Sequence, residues 1–351
     1  MSKAGLYGIK NSNRNFELEN SWGKNQFNNA FPVALACYMY SKSIKPIYIK
    51  IDENLKIEKK DICVSELFGM NPTDKDIYYS FEDKYEQYEE YNKQALPGID
   101  LVIKNNETKE CIKPIEIKLT TLPDNSTCKL EESKYGSEIV VRPDTIVYQA
   151  FSIANSLKEK REEILKILKP AYDEVSDWNN KDNVISNLRY IKKSINKIIT
   201  EYKDLQNPML MQPVWKTNGK SAILAENCLD IFVWSDLSFT RLFIKESDEF
   251  TNIDRPNRAM IWLFLMLYDF AVSGKIDHKK IIDTYTYDTK NDKAFSVNGN
   301  NTNKIMACKE LTKPRIKKEE IRNIILGKGQ LFLSPERRLD GVIQSDTSLF
   351  D

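Results

Sequence analysis

The segment PGIDLVIKNNETKECIKPIEIKL, residues 97–119, sets the architecture of this chain. Its first part, IDLVIK (99–104), is β-branched and alternates in polarity, which predicts a strand. NNETKE (105–110) carries turn chemistry, and CIKPIEIKL (111–119) alternates again. The expectation is a hairpin, or two adjacent strands joined by a polar turn. Side chains two apart on a strand share a face. Glu116 and Lys118 therefore point together, with Ile115, Ile117 and Leu119 on the other face. A pairing that brings Asp100 beside Glu116 puts two carboxylates and one ammonium in one small volume.

On the N-terminal side, FPVALACYMYSKS (31–43) reads as a short apolar helix and KPIYIKI (45–51) as an alternating strand. Residues 73–95, dense in Asp, Glu, Lys and Tyr, read as a solvated, charged helix. On the C-terminal side a polar loop (120–136) leads to a short strand, EIVVR (138–142). Pro143-Asp144 then opens a helix, where a residue without an N–H loses nothing. Within 144–206, two stretches with apolar residues at three- and four-residue steps flank WNNKDN and predict a helical hairpin. Residues 207–223 read as a loop leading to a strand, and 228–245 as two apolar runs around a Ser-Asp break. Residues 257–273 form a nearly all-apolar helix suited to the core, 283–309 a polar loop or small hairpin, and 318–351 a helix with a polar tail. No repeat or linker divides the chain. The expectation is one α/β domain over 1–351, a mixed central β-sheet flanked by helices. Its catalytic core covers about 95–155, with a helical hairpin insertion at about 151–206.

Composition removes rival chemistries. The chain has 41% apolar residues and 52 basic against 51 acidic side chains, for a net charge of +1. That supplies a core, and it argues against a protein that coats nucleic acid by charge alone. Six cysteines are scattered without a CxxC pair, and His278 is the one histidine. Zinc sites need clustered ligands, and Ser-His-Asp or Cys-His hydrolases need a histidine base. His278, in the polar stretch GKIDHKK, reads as a surface residue. No phosphate-binding glycine loop occurs. The opening MSKAGLYGIKNSNRN has no apolar core, and the longest apolar run is too short for a bilayer. A cytoplasmic protein with reduced thiols and no membrane partner is expected.

Hydrolytic chemistry must then run on carboxylates, lysine and metal. Asp100, Glu116 and the main-chain oxygen of Ile117 form a hard oxygen site suited to Mg2+. Lys118 can orient a water and offset charge building on phosphorus. Pro97, Asp100, Glu116 and Lys118 resemble the PD-(D/E)xK nuclease motif, with Gly98-Ile99 separating the proline from the aspartate. The resemblance implies a restriction-endonuclease-like core, with its catalytic residues on a central hairpin. It also implies an acidic residue from an earlier helix, for which Glu86, Glu89 and Glu90 are candidates. A further block, GLYGIKNSNRNF (5–16) and WGKNQFNNAFPVAL (22–35), resembles the type II restriction endonucleases of the HindVP kind. That implies a homodimeric endonuclease cutting double-stranded DNA at a short palindrome with Mg2+. A cognate DNA methyltransferase is expected as a genetic neighbour, since such an enzyme endangers its own host.

Base edges are read by Arg, Asn and Gln. Four clusters carry that chemistry: Lys24, Asn25, Gln26 and Asn28 near Trp22; Asn125 after the catalytic strand; Lys216 and Asn218 near Trp215; and Arg255, Asn257 and Arg258. They place the expected DNA-contacting elements in 1–30 and 207–260. Asn and Gly clusters also simply make turns. Two other functions fit the same motif: a structure-specific repair or junction-resolving nuclease, and a DNA-binding protein with an inactive site.

Overall fold

A computed structural model describes residues 24–52, 54, 56–118, 139–203, 205, 208–211, 215–218, 221–224, 232–245, 252–287, 295–297, 316 and 320. In chain order the elements begin with α1 (Lys24–Ser41), β1 (Ile47–Ile51), β2 (Ile57–Asp61), α2 (Val64–Phe68) and β3 (Ile77–Asp83). The central hairpin follows as β4 (Ile99–Asn105), β5 (Cys111–Ile115) and β6 (Ile117–Lys118). Next come β7 (Ile139–Val141), α3 (Pro143–Ser156), α4 (Arg161–Glu174) and α5 (Lys181–Glu201). The remainder is β8 (Pro208–Met211), β9 (Trp215–Asn218), β10 (Ser221–Leu224), β11 (Phe232–Ser235), α6 (Asp236–Lys245), α7 (Arg255–Ser273), α8 (His278–Thr284) and β12 (Phe295–Val297).

A five-stranded mixed sheet runs β2-β1-β11-β8-β6, and a three-stranded sheet runs β3-β4-β5. In the larger sheet β1 pairs in parallel with β11 and β6 with β8, while β2 and β8 are antiparallel to their neighbours β1 and β11. The pairs β9–β10 and β7–β12 form two small antiparallel ribbons. Helices flank these sheets, as expected of a restriction-endonuclease-like core. No described helix is long and apolar enough to cross a membrane.

The core centres on α7, whose Ala259–Leu267 stretch is almost fully buried. It packs against α3, α4 and α5. Tyr172 of α4 stacks on Tyr268 at 3.8 Å, and Trp178, in the α4–α5 turn, lies against Phe264. The indole N–H of Trp262 donates to the Tyr285 carbonyl at 3.0 Å, so the largest buried side chain keeps its polar handle satisfied. The predicted helical hairpin of 144–206 is present as α4 and α5.

Three local expectations are corrected. Residues 77–83 form strand β3, not part of a charged helix, because IYYSFED is β-branched and aromatic and pairs with β4 from Ile77–Asn105 to Asp83–Ile99. The following 3-10 turn, Glu86–Tyr91, buries Tyr88 and Tyr91 with Tyr85 at three-residue spacing and leaves the glutamates outside. Residues 207–223 hold strand β8 and most of the β9–β10 hairpin where a loop leading to a single strand was expected. Finally, β4 is covered on both faces. Leu101, Val102, Ile103 and Lys104 are all buried, and Lys104 is accommodated by an ion pair with Asp83 at 2.7 Å.

Candidate active site

β4 and β5 pair antiparallel, with Leu101 opposite Ile115 and Val102 opposite Pro114. Pro114 is tolerated because β5 is the edge of its sheet and gives up no inner ladder bond. Carried one residue further, the register sets Asp100 opposite Glu116. There the chain changes sheets: β5 ends at Ile115, Glu116 stands outside both strands, and β6 pairs with Leu210 and Met211 of β8. The expected single strand over 111–119 is therefore two strands broken at Glu116. Ile115 and Ile117 remain buried and Glu116 half-buried, so the predicted inward set persists across the break.

Asp100 spans that break. The N–H of Ile117 donates to Asp100 Oδ2 at 2.8 Å, a charge-assisted bond that ties the start of β4 to the start of β6. On β4, Asp100 shares its face with Val102, which packs into the core formed with α3 and α7. From α3, Tyr148 reaches the same place. Its hydroxyl donates to the Pro97 carbonyl at 2.7 Å, three residues before Asp100. Burial pushes the Tyr148 phenol above its ordinary range, and the charges of Glu116, Asp100 and Asp144 push it further the same way. A phenol so placed stays protonated. For Lys118 the described structure is the backbone in β6.

The donor chemistry fits a hard divalent cation. Asp100 and Glu116 flank the junction between the two sheets and supply carboxylate oxygens, the donor type of Mg2+, which takes few protein oxygens and keeps several waters. Among the described residues there is no group of three or more His, Cys, Asp or Glu placed to hold a metal. Of the acidic candidates in the 3-10 turn, Glu86 Oε1 lies 3.8 Å from Lys104 Nζ and serves the Asp83–Lys104 pair, while Glu89 and Glu90 are exposed.

The other candidate residues are scattered over the fold. Lys24, Asn25, Gln26 and Asn28 lie in the first turns of α1, and Lys216 and Asn218 lie on β9. Arg255 opens α7, where Asp254 caps the helix by accepting the Asn257 N–H at 2.8 Å. Asn125 lies outside the described residues. Arg258 is fully buried, its guanidinium over the Trp262 ring at 5.2 Å, so in this structure it belongs to the core and presents nothing to DNA. His278 is also corrected: it is buried, not superficial, with Nδ1 3.2 Å from Asn92 Oδ1 and its ring against Phe151.

Sequence reading missed Tyr148. The signal was present as Asp144, Thr145, Tyr148 and Ser152, a polar stripe at helical spacing in an otherwise apolar helix. Ser152 donates to buried Asp236 at 2.7 Å, so the stripe meets a polar partner one turn beyond Tyr148 as well. Gln149, beside it, is buried with both side-chain amide atoms unpaired.

The family described as HindVP restriction endonuclease matches residues 22–350. The chain is 45% identical to the type II restriction enzyme HgiDI of Herpetosiphon aurantiacus, over 100% of this chain and 98% of that protein. It is 42% identical to the probable type II restriction enzyme HindVP of Haemophilus influenzae, over 99% of this chain and 95% of that one. No solved structure matches it significantly. With likeness of this extent over almost its whole length, the chain belongs to the HindVP family of type II restriction endonucleases.

Proposed function

We propose that this protein cuts both strands of double-stranded DNA at a short palindromic sequence. Asp100, Glu116 and the main-chain oxygen of Ile117 hold Mg2+, and Lys118 assists the attacking water. The observation that carries the reading is the β4–β5 register, which runs to Leu101 opposite Ile115, one residue short of Asp100 and Glu116, where the chain changes sheets. The Ile117 N–H on Asp100 Oδ2 supports it by fixing one carboxylate oxygen. In an extended strand a residue's N–H and C=O project to one edge, which favours the Ile117 carbonyl as a third donor.

The chemistry supplied by Mg2+ is polarisation of the scissile phosphate and activation of a bound water. Asp100 and Glu116 would hold the cation through their carboxylate oxygens. Lys118 keeps its ammonium next to the reacting phosphate, where it orients the water and offsets the developing charge. Lys24, Asn25, Gln26, Asn28, Asn125, Lys216, Asn218 and Arg255 remain the proposed DNA contacts. A homodimer fits a two-fold symmetric site. A methyltransferase encoded nearby would protect the host DNA that shares the cytoplasm with this enzyme.

Incubation with phage DNA, with and without Mg2+, followed by end-sequencing tests the reading. One recurring sequence at the ends is expected with Mg2+, and intact DNA without it. Asp100→Ala and Lys118→Ala should each abolish cutting and spare DNA binding; undiminished cutting by either refutes the assignment.

A further inference from the structure

We propose that Tyr148 is a positioning residue for the metal site, acting through the Pro97 carbonyl to set how Asp100 approaches Glu116. The inference rests on reading Asp100 and Glu116 as metal ligands. Asp100 sits at the start of β4, with only Gly98 and Ile99 between it and Pro97. Its carboxylate is tied downstream by the Ile117 N–H at 2.8 Å. Its backbone is tied upstream by the Tyr148 hydroxyl on Pro97 at 2.7 Å. The first tie belongs to the sheets, and the second comes from α3. Ile99 is held by its pairing with Asp83 of β3, and glycine at 98 leaves the connection before it without side-chain restraint, so the α3 tie anchors the chain on the far side of Gly98.

The phenol suits that task better than proton transfer. It is buried, and it lies close enough to Glu116, Asp100 and Asp144 for all three charges to oppose its ionisation. It is therefore a neutral donor throughout the working pH range. It adds no negative charge and cannot serve as the base. Removing it leaves both carboxylates present but loosens the spacing between them. The cost should fall on metal affinity more than on DNA binding. Losing a hydrogen bond made directly to a metal ligand typically costs about 10- to 100-fold in metal affinity or activity; this one acts one step further out, through Pro97, so the lower end is expected.

The test is Tyr148→Phe in the full chain, with Asp100→Asn beside it. Plasmid cleavage is titrated against Mg2+ and Mn2+. Binding to a duplex carrying a mapped cut site is measured in Ca2+, and the thermal midpoint is recorded. For Tyr148→Phe the half-activating Mg2+ concentration should rise about tenfold or more. Rate should recover at high Mg2+ or on replacing it with Mn2+. Duplex binding, thermal midpoint and the alkaline limb of the pH–rate profile should match the parent. A half-activating concentration within about twofold of the parent overturns the proposal, whatever happens to the rate. So does loss of the thermal transition, because the hydroxyl would then serve the fold. Asp100→Asn separates the two readings: if it still cuts, the ligand assignment itself fails. If it is dead while Tyr148→Phe keeps its metal dependence, only the role of Tyr148 falls.

Discussion

His278, the one histidine of the chain, shows how much a single side chain depends on its surroundings. Burial holds its pKa below the ordinary value, Lys279 adds to the effect, and Asp277 and Asp144 oppose it. In the unfolded chain the group titrates near 6.5. Between the folded value and about 6.5 the unfolded state therefore binds the extra proton. The stabilising contribution is complete above about pH 6.5 and is lost as the pH falls from there through the folded value. Thermal midpoints of the parent should drop on going from about pH 7 to pH 5.5, and those of His278→Gln should drop less over the same interval. Equal slopes in the two proteins would show that carboxylates alone cause the loss. Asn92, which meets the imidazole, also donates to the Gln94 carbonyl at 2.7 Å, so the histidine is one part of a buried polar junction.

Among the elements, α7 depends on how it ends. Gly274 follows its last turn with φ 77°, and its N–H donates to the Phe270 carbonyl at 2.7 Å. Arg161, the first residue of α4, closes the same terminus. Its Nε donates to the Phe270 carbonyl at 3.2 Å, and its Nη2 to those of Ala271 and Val272 at 3.4 and 3.1 Å. A cation at a helix C-terminus also opposes the helix dipole favourably. Any side chain at 274 meets both problems at once, because its Cβ would lie 3.0 Å from Arg161 Nη1. Gly274→Ala should therefore lose about 1–2 kcal/mol from the left-handed backbone alone, and more if the guanidinium is displaced. Urea unfolding checks it as a lower midpoint at unchanged slope. An unchanged midpoint would mean that α7 ends equally well without this cap.

For the molecule as a whole, the arrangement of the sheets decides what one copy can do. β6 is the edge of the five-stranded sheet among the described residues, and the Asp100–Glu116 junction lies where it meets β5 of the smaller sheet. One chain thus carries one such junction, and a double-strand break needs two cuts. A homodimer meets this need by symmetry. Sedimentation should give twice the chain mass, and supercoiled plasmid should pass to linear form without accumulating nicked circles. A monomer mass together with persistent nicked circles would show that each chain cuts alone.

The local features were legible in the sequence because local chemistry sets them. Two-residue periodicity announced β4 and β5, the helical periods announced α4 and α5, Pro143 marked the start of α3, and the apolar run of 259–270 marked the core helix. Glu-x-Lys on the second strand is the sequence feature on which the proposed chemistry rests. Composition also misled: the charge of residues 73–95 hid β3, and the polar neighbours of His278 hid its burial. Only the tertiary structure tied Asp100 to the Ile117 N–H, broke the second strand at the glutamate, and brought Tyr148 onto the Pro97 carbonyl. Each of those depends on partners far along the chain: β6 on β8, Tyr148 on Pro97 51 residues away, His278 on Asn92 186 residues away. Short-range pattern reports what a segment prefers. Which segments meet, and in what register, is settled by burial and backbone pairing across the whole fold.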